Sequence, residues 1–213
     1  MNRYLITLVF LISINLSSLI AQDAIEPLKD VESFKEKLAK MAESTSTISC
    51  DFVQEKYLAV LSQKIISKGR FYFKKENNIR WEYTSPYKYL IIISNNQLFI
   101  SDDKSQNRYD LKSNKMLQEM NGFISGCIQG DILKDDKEYS IGYFENSKLY
   151  YVKLIPRSEK MRQMLNEVQI WFDKNDFSVS GLKMVESGDD YTKIGFINKK
   201  LNIDIPLEKF SFK

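Results

Sequence analysis

Histidine is absent from all 213 residues. That absence removes the Ser-His-Asp triad, the Cys-His dyad, every His-ligated zinc site and the usual proton shuttle at neutral pH. Only 8 Gly and 4 Pro occur, too few for collagen-like or Pro-rich repeats, and no Gly-rich phosphate cradle is found. Charge is nearly balanced, 31 Lys plus Arg against 28 Asp plus Glu, so the steep basic footprint of a dedicated nucleic-acid binder is missing. What is present is apolar and aromatic: 43% hydrophobic residues, including 13 Phe and 12 Tyr, enough to fold around a sizeable core.

The N-terminus reads as an export signal. Asn2 and Arg3 precede an apolar run from Tyr4 to Ile12, and a mixed stretch ends in Ala21-Gln22-Asp23. A basic start, a short apolar centre and a small residue before a polar one describe a secretory signal peptide over residues 1–21, leaving a domain over 22–213. Thr7 within the run and Ser13, Asn15, Ser17 and Ser18 after it interrupt the apolar stretch, which argues against a spanning anchor. No cysteine lies near the cut to be lipidated, so a soluble mature protein is expected. In an oxidising compartment the two cysteines, Cys50 and Cys127, are compatible with a disulfide and with two buried thiols; thiols are the preferred reading.

Beyond the leader the pattern predicts one mainly β domain. Leu28, Val31, Phe34, Leu38 and Met41 recur at helical steps, and with Pro27 suited to a first turn they predict a helix over 26–42. Two-residue alternation then marks strands near 47–56, 64–74, 78–84, 87–94, 97–101 and 106–111, and again near 138–145, 148–155, 165–173, 177–186, 190–197 and 207–212. Between the two sets Met116, Met120, Phe123, Ile124, Cys127 and Ile128 follow helical spacing, with Gly122, Gly126 and Gly130 loosening the helix. About eleven antiparallel strands with two or three helices are expected. The paired acids Asp102-Asp103, Asp135-Asp136 and Asp189-Asp190 fall at turns, so acid-base or metal chemistry is not expected of them.

The strand faces carry the functional clue. Phe71 and Phe73 share one side of a strand, as do Ile79, Trp81 and Tyr83, while Tyr72, Lys74, Arg80 and Glu82 fall on the other. Such an aromatic face serves equally as a solid core or as the lining of a ligand cavity.

Phe52-Val53-Gln54, then Gly69-Arg70-Phe71-Tyr72-Phe73-Lys74-Lys75, then Arg80-Trp81-Glu82-Tyr83 with Pro86, resembles the N-terminal half of LolA-type outer-membrane lipoprotein carriers. Leu90 to Ile93, Asn96 and Gln97 to Ile100 continue the likeness; Leu154-Ile155-Pro156, Ile194 to Asn198 and Phe210-Ser211-Phe212 extend it to the family's closing strands. The resemblance implies a strongly curved, unclosed antiparallel barrel whose concave face is covered by lid helices over an apolar cavity. It implies a monomeric, non-enzymatic periplasmic carrier of lipoprotein acyl chains, loaded by an inner-membrane lipoprotein-releasing transporter and emptied onto an outer-membrane acceptor, without cofactor, metal or nucleic acid. The acyl cavity would be lined by Phe71, Phe73, Ile79, Trp81, Tyr83, Met116, Met120, Phe123 and Ile124. The family's lid-latching Arg, followed by Pro, matches Lys75 and Glu76 here, and Lys keeps the charge without the planar fork of donors. Kept beside the carrier reading are a related periplasmic module that binds lipid or lipopeptide as a sensor or as an accessory to envelope lipid synthesis, and a hydrolase with an unusual site.

Overall fold

The computed structural model describes residues 24–113, 117–118, 121–122, 124–126, 131–134 and 137–212. The leader, Met116, Met120, Phe123, Cys127 and Asp135-Asp136 therefore lie outside the described residues. Twelve strands form one sheet: β1 (Glu26–Pro27), β2 (Thr47–Leu58), β3 (Gln63–Lys74), β4 (Asn78–Ser85), β5 (Tyr89–Ser94), β6 (Gln97–Asp102), β7 (Gln106–Asp110), β8 (Tyr139–Glu145), β9 (Leu149–Pro156), β10 (Leu165–Asp173), β11 (Val179–Glu186) and β12 (Tyr191–Leu201). Every pairing is antiparallel, in the order β1-β8-β9-β10-β11-β12-β2-β3-β4-β5-β6-β7. The order leaves β1 and β7 as edges, so the sheet is not closed. It is strongly curved nonetheless, because Ile91 of β5 and Met184 of β11 line one cavity although four strands separate them.

Eleven of these strands fall where alternation predicts them. The helix α1 (Val31–Ser44) starts later than expected. Pro27 sits not in a first turn but in β1, paired with Phe144 of β8, and Asp30 begins the helix by accepting a hydrogen bond from the Ser33 backbone N–H at 3.0 Å. The predicted strand over 207–212 is also corrected. Pro206 supplies no donor, Lys209 N–H bonds Pro206 O, and Leu207–Phe210 form a 3₁₀ turn. The alternation of Phe210 and Phe212 reflects packing: both join Ile92 and Phe99 on the outer face of β5 and β6, with Phe212 stacked on Phe99. The outer face therefore carries a small core of its own under the C-terminal strap. A second short helix, α2 (Glu159–Arg162), precedes β10, and Leu117, Gln118, Asn121, Gly122 and 124–126 are helical. Among the described residues no helix is long and apolar enough to cross a membrane.

Two clusters fill the concave side. Helix α1 presses Phe34 and Leu38 onto Val152, Leu154, Val168, Ile170 and Phe172 of β9 and β10. The other cluster belongs to β2–β6, β11 and β12 and includes Phe52, Phe71, Phe73, Ile79, Leu98 and Ile194. Gly69 is required at the start of the aromatic row. A Cβ there would sit 2.0 Å from Glu82 O and 2.7 Å from the Phe52 ring, at the register shift where β3 meets β4. Its absence lets Phe52 lie against the strand beside Tyr83 and Trp81.

Candidate functional site

A cavity of about 360 Å³ lies between the second cluster and the C-terminal half of α1. Its walls come from alternate residues of neighbouring strands: Ile48, Cys50 and Gln54 of β2, Phe71 of β3, Trp81 and Tyr83 of β4, Ile91 of β5, Leu182 and Met184 of β11, and Thr192, Ile194 and Phe196 of β12. Met41 of α1 and Ile124 close it from above. Register makes this set: Cys50 faces Phe71, Phe71 faces Trp81 and Trp81 faces Ile91 across successive strands, so one two-residue period becomes a continuous apolar row.

Of the residues singled out from sequence, Phe71, Trp81, Tyr83 and Ile124 line this space. Phe73 and Ile79 do not. Each is 1% exposed; they face each other one step further along the same row and are packed solid with Leu98, Leu111 and Ile93. Met41 and the β2, β11 and β12 residues were missed because their pairing is non-local, although Gln54 stands in the Phe-x-Gln motif and Ile194 and Phe196 in the closing motif.

Polar groups mark the two ends. At the end nearer the β2–β3 turn, Tyr83 Oη donates to Gln54 Oε1 at 2.9 Å, and burial pushes the phenol up to about 12, so it stays neutral. At the opposite end Lys199 bonds the Ser178 hydroxyl and lies 3.9 Å from Asp176. Between them Cys50 is a free thiol held up near 12, by burial first and the adjacent Asp51 second, and is therefore inert when covered. Among the described residues Trp81 Nε1, buried among the rings of Phe52, Phe71 and Phe196, has no hydrogen-bond partner. Among the described residues no cluster of metal-ligating side chains occurs. Such a chamber offers apolar contact along its length and neutral or cationic hydrogen-bonding groups at its ends.

The end of α1 over this chamber is tied to the sheet by side chains from elsewhere. The helix has no basic residue in its last turn. Lys75, just beyond β3, supplies one, donating from Nζ to Glu43 O at 2.7 Å. Asn202 Nδ2 donates to Ser44 O at 3.1 Å, while its Oδ1 accepts from Ser46 N–H at 2.7 Å. Lys74 points the other way and donates to Ile205 O in the C-terminal strap.

An open, curved antiparallel sheet with an apolar chamber beneath a tied-down helix defines a protein built to shelter an apolar ligand. The model of the family described as "Outer membrane lipoprotein carrier protein LolA" matches residues 43–213, and the chain belongs to that family. It is 28% identical over 218 residues to the outer-membrane lipoprotein carrier protein of Francisella philomiragia, covering 98% of this chain and 91% of that one. It is 23% identical over 177 residues to that of Methylococcus capsulatus, covering 83% and 81%. In fold it is similar to the Pseudomonas aeruginosa MucA/MucB complex, with TM-score 0.51 and 10% identity over 85% of this chain and 60% of that one.

Proposed function

We propose that this protein is a periplasmic carrier that shelters the acyl chains of lipoproteins and moves them from the inner to the outer membrane. The observation that carries the reading is the chamber: about 360 Å³, walled almost wholly by aliphatic, aromatic and Met side chains, and roofed by Met41 from a helix held at its end by Lys75 and Asn202. Family membership supports it. The leader over 1–21 would deliver the chain to the periplasm and be removed, leaving the domain 22–213.

Each methylene buried from water contributes about 0.8 kcal/mol, so long acyl chains cannot cross water unshielded. The chamber lies at the small end of ligand cavities, which run from roughly 300 to 1,000 Å³. Several chains need more room. Loading therefore requires α1 to move, and the ties at its C-terminus are where that motion is resisted. Phe71, Trp81, Tyr83 and Ile124 would contact the chains, as would Met41, Met184, Ile194 and Phe196, while Phe73 and Ile79 support the wall. The two methionines suit cargoes of varied shape. An inner-membrane lipoprotein-releasing transporter would load the carrier, and an outer-membrane acceptor would receive its cargo. Recovery of the protein from native periplasm, followed by mass spectrometry of what is bound, tests the reading: acylated lipoprotein is expected, and a small lipid alone would favour the sensor or accessory role instead.

A further inference from the structure

We propose that the tip of the β2–β3 hairpin is a membrane-docking prong that sets the cavity-bearing face against a lipid bilayer. The β12 register ends at Tyr191 opposite Tyr57, and the β4 register ends at Ser85 opposite Lys68. Beyond these rungs the ribbon continues to Leu58 opposite Gln63 and closes through a 3₁₀ turn over Ala59–Leu61, so β3 runs well past the end of β4 while β2 outlasts β12 by one rung and the turn. Its end is bare and aliphatic: Val60 is 96% exposed, Leu61 59%, and Ile65 and Ile66 45% each.

The base is stiff. Tyr57 stacks on Tyr191, Glu55 takes hydrogen bonds from Lys64 and Tyr191, and the Ala59 N–H donates to Asp190 Oδ1 at 2.8 Å. A ribbon anchored this firmly below a greasy end holds apolar side chains in water at a fixed position. Exposed aliphatic groups so concentrated mark an interaction site.

The composition of the tip selects the occupant. Stable protein interfaces bury about 800 Å² on each partner and are anchored by Trp, Tyr and Arg, whereas this end offers four aliphatic side chains. Strand addition along the free β3 edge is discouraged by Lys64, since charge on an edge strand opposes pairing. Aliphatic side chains at a point, with lysine stems behind them able to snorkel, fit the interfacial layer of a bilayer. Val60 and Leu61 carry about seven side-chain carbons, and the exposed parts of Ile65 and Ile66 add to them from the two faces of the ribbon, so the tip offers less than one myristoyl chain, whose membrane binding is itself marginal and reversible. A carrier that must leave again needs such weak docking.

The prong is also continuous with the cavity. Along the face that holds Phe52 and Gln54, the next rungs outward are Lys56 opposite Ile65 and Leu58 opposite Gln63. Docking by the tip thus brings the Gln54–Tyr83 end of the chamber toward the bilayer.

The test needs no cargo, so its failure and that of the carrier reading are separable. Purified protein is floated with vesicles of phosphatidylethanolamine containing a minority of phosphatidylglycerol, and with vesicles of phosphatidylcholine alone. Wild type should partition weakly onto both, and the double variant Val60→Asp, Leu61→Asp should bind at least about ten-fold less. A Val60→Trp variant should show a blue-shifted emission quenched by brominated lipid. All these positions are exposed, so folding is unaffected. Equal flotation of wild type and the double variant would overturn the proposal. So would binding to the anionic vesicles only, or concentration-dependent self-association abolished by the same substitutions, which would assign the tip to a second copy of this chain.

Discussion

Replacing Lys75 with Leu removes a cation that meets the C-terminus of α1. The lost interaction is a charge-assisted hydrogen bond of 2.7 Å to Glu43 O. A fully buried bond of this type is worth about 1.5 to 3 kcal/mol, but Lys75 is exposed and water competes for both partners, which places it nearer 1 kcal/mol. Its favourable position at the helix terminus is part of the same figure. Since 1.4 kcal/mol is a factor of ten, the ratio of open to closed chamber should rise about five-fold. Cys50 reports that ratio directly, because its thiol lines the chamber and is kept protonated while covered. Under conditions where opening is fast relative to alkylation, the modification rate follows the open fraction. Peptide mapping of Cys50 should show labelling about five-fold faster in Lys75→Leu, near the wild-type rate in Lys75→Arg, and unchanged in Lys74→Leu, whose side chain bonds the C-terminal strap. Equal Cys50 labelling in wild type and Lys75→Leu would refute the latch, and acceleration by Lys74→Leu would show that general loosening, not α1, controls access.

Three further outcomes are expected. Gly69→Ala, which drives a Cβ against Glu82 O and the Phe52 ring, should cost about 1 to 3 kcal/mol and lower Tm by about 2 to 4 °C per kcal/mol in calorimetry. Met184→Glu, placing a carboxylate in the apolar wall, should fold normally by circular dichroism yet weaken binding of a fluorescent fatty-acyl probe by about ten-fold or more. Stability should fall on the alkaline side: Cys50 and Tyr83 are raised from 9.0 and 10.0 to about 12 in the fold, so between about pH 9 and 12 the unfolded chain gives up protons that the native one retains. Chemical denaturation should be insensitive to these two groups below pH 9 and should report loss above it, and the decline should shrink in Tyr83→Phe.

Much of this architecture was legible in the sequence because its strands alternate cleanly, and the same alternation accounts for Lys74 and Lys75 reaching different partners. The two misread ends share a cause. Pro27 and the Phe210/Phe212 pair imitate a helix start and a strand, but a two-residue rung with β8 and a 3₁₀ strap over Phe99 are set by tertiary partners. The same holds for the chamber. Periodicity gathered Phe71, Phe73, Ile79, Trp81 and Tyr83 onto one face, yet only register and curvature decide which of them meet empty space. Phe73 and Ile79 fall under Leu98 and Leu111, whereas Phe71 and Trp81 fall opposite Met184 and Phe196 of distant strands. The hairpin tip gave no periodic signal, since Val60 and Leu61 look like core residues until the neighbouring strands are seen to stop short of them.

The central claim is that the chamber takes lipoprotein through its acyl chains. Its most direct measurement is native mass spectrometry of the protein co-produced with one triacylated lipoprotein and, in parallel, with the same lipoprotein whose acylated cysteine is replaced by serine. A one-to-one complex with the acylated form, lost in Met184→Glu, is expected, and none with the serine form. A complex of equal abundance with the unacylated lipoprotein, or one indifferent to Met184→Glu, would contradict it.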